Sequence, residues 1–272
     1  MKKKSQATDP LLIIIVAVAV GLILLVFFVY IFKGQSAVID VEKCRFSVLA
    51  QANVPEGKSL LPLNCPRRII TFYNDHVEIG NTGKKGAEKY ELYIAGEKTK
   101  SFDRITADIV NQIYAEELRI CWYQMGEGNQ DIFKEKITKN YNMCLICAEM
   151  NFDENVKTDE FKGLGEYLNK NIPYKQQKYI DYLSKTVTGE KSWWGLYKKE
   201  YTTLPVINST FSISTKDKNV ILFNAFKPNW LWSSSWISAL PNKAFGMEYN
   251  DFHTVYPWKA NDLANECNIL YN

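Results

Sequence analysis

The chain has 272 residues with 33 basic and 30 acidic side chains, a net charge of +3, and is 46% hydrophobic and 14% aromatic. Lys2, Lys3, Lys4 and Lys33, opposed by Asp9, carry that excess, so the chain beyond residue 34 holds 29 charges of each sign. A neutral outer part lacks the basic bias that drives phosphate-backbone binding, which excludes nucleic acid as an expected partner, and its length and well-mixed charge predict a folded core rather than a disordered stalk.

Residues 11–32 read LLIIIVAVAVGLILLVFFVYIF without a charge. A helix rises ~1.5 Å per residue, so about 20 apolar residues cross a ~30 Å hydrocarbon core, and this run predicts a transmembrane helix with the lipid bilayer as its partner. A cleaved signal peptide is the rival reading, but its apolar core is usually ~7–15 residues long, and no small-x-small cleavage site follows here. Lys2, Lys3 and Lys4 favour a cytoplasmic tail at residues 1–10, which makes the chain a single-pass signal anchor of the cell membrane with residues 36–272 outside.

In the outer part, strands are expected at 69–73, 77–79 and 90–94, with Gly80, Gly83 and Gly86 turning a hairpin between the last two. Lys84 and Lys85 beside those glycines lack the spacing of a phosphate loop. Ile105, Ile109, Ile113 and Ile120 form an apolar stripe that predicts a helix over 103–123, ended by Gly126 and Gly128. A strand at 143–152 follows, then helices at 158–171 and 174–185 separated at Pro173. Apolar alternation at 210–214 and a fuller run at 220–226 predict a second hairpin around Lys216 to Asn219. No repeat or low-complexity tract marks a domain boundary, and 186–204 is the least regular stretch and the weak candidate junction. The expected class is α+β: an N-terminal transmembrane helix, then a mixed, mainly antiparallel sheet and helix outer domain.

Chemistry-bearing residues are sparse. With only His76 and His253, a multi-histidine metal centre cannot assemble in one chain, and neither a metal nor a cofactor is expected. Asp251 and His253 are the candidate catalytic pair, although no nucleophile elbow or other catalytic motif accompanies them. Trp230, Trp232 and Trp236, beside Ser233, Ser234 and Ser235, are the candidate surface aromatics for packing on a protein or stacking on sugar. Asn208 heads Asn208-Ser209-Thr210, the sole N-x-S/T sequon and the candidate glycosylation site.

All six cysteines follow the apolar run, which suits an oxidising compartment and as many as three bridges, with Cys44, Cys65, Cys121, Cys144 and Cys147 as the disulfide candidates. The Cys144-x-x-Cys147 spacing also admits a redox or zinc reading. On a strand, however, positions three apart face opposite sides, so these two are expected to be structural and to seek distant partners. Cys121 is the nearest candidate, and Cys44 with Cys65 would hold the first strand against the domain.

Four stretches, CRFSV from Cys44, CP at Cys65, CWYQMGEGNQDIF from Cys121 and CLIC from Cys144, resemble segments of uncharacterised single-pass membrane proteins of small-genome archaea. The resemblance reaches to about residue 183, implies an archaeal envelope setting, and carries over no functional residue. The expected function is a membrane-anchored extracytoplasmic interaction or structural module whose partner is another envelope protein or a glycan. The alternative is an anchored enzyme, either a hydrolase using His253 with Asp251 or a thiol oxidoreductase using Cys144 and Cys147.

Overall fold

The computed structural model describes residues 18–22, 36–53, 63–82, 86–94, 96–128, 141–172, 177–183, 211–227, 252–263, 267 and 269–271. The expected span at 11–32 falls outside them except at 18–22, which is helical and exposed; the tail at 1–10 and the junction at 186–204 lie outside. Among the described residues no helix is long and apolar enough to cross a membrane.

The chain divides into two compact units, Met1–Glu42 and Lys43–Asn272. Helix α1 (Ser36–Asn53) runs across that division. In the second unit its Cys44, Val48 and Ala52, spaced four apart, are all buried, as one face of a 3.6-residue repeat requires. No element was expected over this segment, which is helical.

A seven-stranded sheet forms the centre of the second unit. Its strands are β1 (Arg68–Phe72), β2 (Val77–Asn81), β3 (Glu88–Lys89), β6 (Tyr141–Phe152), β9 (Asn219–Lys227), β10 (Phe252–Lys259) and β11 (Ile269–Tyr271). The order is β10-β9-β6-β1-β2-β3, with β11 also paired to β6. Four of the six pairings are antiparallel, while β1 and β11 run parallel to β6 on the same side of it, at Ala148–Phe152 and Met143–Leu145 respectively. The fold is therefore α+β with a mainly antiparallel sheet.

One expected hairpin forms with a shorter second strand, and the other is corrected. The strand after the glycines is split: Glu88 and Lys89 pair with β2, whereas β4 (Leu92–Ile94) folds back on β5 (Glu97–Thr99) as a separate ribbon. Likewise β8 (Ser212–Ser214) does not pair with β9; it pairs with β7 (Glu160–Lys162), which lies in the first half of the segment expected to be helical at 158–171. Gly163, at φ +97°, separates β7 from the real helix α3 (Leu164–Lys170). Of the next expected helix, only α4 (Tyr179–Leu183) is helical among the described residues.

Helix α2 (Ala107–Gln124) fits its expectation closely. The Thr106 side chain caps it by accepting from the Ile109 N–H, and Ile109, Ile113, Leu118 and Cys121 are buried. It packs against α3, α4, β9 and β10. One face of the sheet joins α2 in the principal core through Met143, Leu145, Ile221, Phe223 and Val255. The opposite face carries a smaller cluster of Cys144, Ile146, Val220, Leu222 and Tyr256. Strand alternation thus sends neighbouring β6 side chains into two different cores.

Candidate functional site

Of the expected catalytic pair, surface aromatics and sequon, only His253 lies among the described residues. His253 is buried on β10 with its ring stacked on Phe223, centroids 5.5 Å apart, and its Nδ1–H donates to the Gly128 carbonyl at 3.1 Å. Asp251, Trp230, Trp232, Trp236 and Asn208 lie outside the described residues. The other histidine, His76, pairs with Asp75 at 2.7 Å and stacks on Tyr73 in the turn between β1 and β2.

The cysteines form three disulfides: Cys44–Cys65, Cys121–Cys147 and Cys144–Cys267. Their Cα atoms are 4.3, 5.6 and 5.7 Å apart, within or close to the usual range for a bridge. Cys144 and Cys147 therefore have different partners on opposite faces of β6, and neither presents the mutual CxxC disulfide that a thiol oxidoreductase uses. Cys267, absent from the expected candidates, is the partner of Cys144. Among the described residues no group of three or more His, Cys, Asp or Glu side chains gathers as metal ligands.

An ion pair that the sequence reading missed lies at the centre of the principal core. Arg68 of β1 and Glu117 of α2, 7% and 1% exposed, form a bidentate bridge, with Nε to Oε2 at 2.7 Å and Nη2 to Oε1 at 2.9 Å. The Tyr90 hydroxyl donates to the same Oε1 at 3.1 Å. Burial alone would lower the Arg68 pKa, but the charge and hydrogen bonds of Glu117 outweigh it and hold the guanidinium above its ordinary value. Burial, then the neighbouring Glu117 charge, pushes the Tyr90 phenol well up. The signal was present in the sequence: Glu117 stands four residues after Ile113 and eight after Ile109, on the apolar stripe of α2.

The candidate binding feature is an open cleft of about 910 Å³ where the N-terminal end of α2 meets the β4–β5 ribbon, β7 and α3. Tyr93, 57% exposed, lines one side, and exposed Ile172 immediately follows Asn171, which also lines the cleft. Asp103, Asp108 and Glu166 line it together with Arg104, Lys162 and Lys170, three charges of each sign. Glu166 and Lys170 neutralise each other at 2.5 Å, and Lys162 pairs with Glu160 at the same distance. Two side-chain amides tie the walls: Asn111 Nδ2 donates to Lys162 O at 3.0 Å and Gln112 Nε2 donates to Tyr93 O at 3.3 Å. Burial, then the charges of Asp108 and Glu116, raises the Tyr167 phenol above its ordinary value, so it is a neutral donor at physiological pH. These groups suit contact with a polar partner, and no paired base and nucleophile is among them.

No family model, curated protein or solved structure matches the chain.

Proposed function

We propose that the chain is a membrane-anchored interaction or structural module of the cell envelope, held by residues 11–32 with its N-terminus in the cytoplasm and its disulfide-bonded domain outside. The observation that carries this reading is the pairing of all six cysteines in three bridges, every one of them C-terminal to the uncharged run. Such pairing persists in oxidising compartments and is rare in the cytosol. The exposed apolar side chains of Val18, Val20 and Leu22 within that run add support, because a helix facing lipid has no need to bury them.

The domain works by presenting a surface to another envelope protein or a glycan, for which the cleft beside Tyr93 offers polar side chains of both signs and an exposed aromatic. Photo-crosslinking from an unnatural amino acid at Tyr93 or Gln112, carried out in native membranes, tests this. A discrete adduct lost when the cleft is blocked by a bulky side chain at Thr106 is the expected result. Uniform absence of adducts from cleft and control positions alike, in protein shown to be folded, contradicts it.

A further inference from the structure

The C-terminal strand is held in the sheet by an arrangement that no other described strand shares. Strand β6 offers one long edge, of which β1 occupies Ala148–Phe152 and β11 occupies Met143–Leu145. Strand β11 has three residues and, among the described residues, a single neighbour; Cys267, two residues before it, is bonded to Cys144 within the segment of β6 that it pairs with. Three residues of parallel pairing are weak by themselves, since parallel ladders are slightly less stable per residue and short pieces gain little cooperative support. The covalent bond confines β11 to within a few ångströms of its slot.

The surroundings of the bond accommodate its open form. Cys144 is fully buried in the smaller cluster, and the Asn224 amide beside it donates through Nδ2 to its sulfur at 3.8 Å and to the Tyr256 hydroxyl at 2.8 Å. The Asn224 Oδ1 is buried and has no hydrogen-bond partner among the described residues. Exchanging the two ends of the amide would let the oxygen accept from the phenol in either redox state and, once the bridge is open, from a Cys144 thiol as well. Access differs among the bridges as well. Cys121 and Cys147 are both buried, whereas Cys267, like Cys65 of the Cys44–Cys65 bridge, is only half-buried and open to an attacking thiolate; of these two accessible bridges only Cys144–Cys267 ties a strand to its sheet neighbour.

We propose that Cys144–Cys267 is a thiol-sensitive latch: its closure seats the C-terminal strand, and its opening releases that strand from β6 without unfolding the rest of the sheet. Opening is a two-electron exchange with a small-molecule or protein dithiol. A thiolate of the dithiol attacks the Cys267 sulfur and the Cys144 sulfur departs and takes a proton. The second thiol of the reagent then attacks the mixed disulfide, freeing the Cys267 thiol and leaving the reagent as its own disulfide. The product leaves the β6 edge at Met143–Leu145 without its β11 partner.

Titrating the full chain in detergent with dithiothreitol tests the latch, with alkylation to map which bridges are open and backbone hydrogen exchange read by mass spectrometry. Expected is a range of reductant in which Cys144 and Cys267 are alkylated while Cys121 and Cys147 are not. In that range exchange at Ile269–Tyr271 rises at least about tenfold and exchange across Ile221–Ala225 stays unchanged. Cys267→Ser, made at the half-buried end of the bridge, reproduces that exchange pattern without reductant. Unchanged exchange of Ile269–Tyr271 once the bridge is open, or exchange that rises across the whole sheet together with it, overturns the proposal.

Discussion

Replacing Gly128 with alanine isolates two costs that the structure keeps apart elsewhere. Gly128 closes the 3-10 turn Gly126–Gly128 after α2 at φ +73°, and Gly126 and Glu127 before it are also left-handed, at 72° and 58°. A side chain in that conformation costs ~1–2 kcal/mol. The new Cβ would stand 2.6 Å from Trp122 Cη2 and 3.0 Å from Cζ2. Trp122 is itself almost fully buried and packs on Phe223 at 6.2 Å, so its ring has little room to withdraw. Forcing extra volume into such a site costs ~1–3 kcal/mol, which gives a total of about 2–5 kcal/mol. Gly86 supplies the control: it has φ +97° with nothing within 4 Å of an added methyl, so Gly86→Ala carries the conformational cost alone. Urea unfolding with the disulfides intact, followed by tryptophan fluorescence, measures both variants. Gly128→Ala is expected to lose at least about 1 kcal/mol more than Gly86→Ala, the lower bound of the overpacking cost. Equal losses would refute the contact with Trp122, and Trp122→Phe in the Gly128→Ala background should recover part of the difference.

Glu117→Leu strands the buried Arg68 charge and should cost about 3–5 kcal/mol, whereas Arg68→Met with Glu117→Leu should recover most of it, measured by the same unfolding experiment. Removing Cys121–Cys147 with paired alanines opens a loop closed over 26 residues and should cost about 3.5 kcal/mol in the chain-entropy estimate, a loss read as a lowered urea midpoint. Glu149 gives an acid dependence: burial raises its pKa, but Arg67 and Lys218 outweigh this and hold it below the ordinary glutamate value of 4.5. Its folded pKa is the depressed one, so its contribution is complete above the ordinary value and is lost as pH falls from there through the lowered one. Glu149→Gln should flatten the stability profile in that acidic window and leave the slope above neutrality unchanged.

What the sequence made legible is what neighbours in sequence decide. The stripe of α2 and the alternation of β6 are local patterns, and the second of these was enough to place Cys144 and Cys147 on opposite faces. Strand β7 was misread because Glu160-Phe161-Lys162 is too short to show a period of its own; its extended form rests on pairing with β8, about fifty residues later. The hairpin expected between β8 and β9 failed for the same reason, since the better partner of each strand was distant. The stripe of Cys44, Val48 and Ala52 was present in the sequence and would have given α1. The parallel pairing of β1 with β6, and of β11 with the same edge, leaves no local trace at all. Among the site residues, Glu117 was visible as a charge on an apolar stripe, but its partner Arg68 became apparent only when β1 was laid beside α2.

Protease accessibility on intact cells tests most directly the claim that a disulfide-bonded domain stands outside a single membrane anchor. With an antibody against the region from Tyr141 to Phe152 as the readout, protease added outside should destroy the full-length band, while an internal cytoplasmic marker survives. Protection of that band in cells whose outer layers are shown to be permeable to the protease, with digestion only after the membrane is lysed, would place the domain inside and contradict the account.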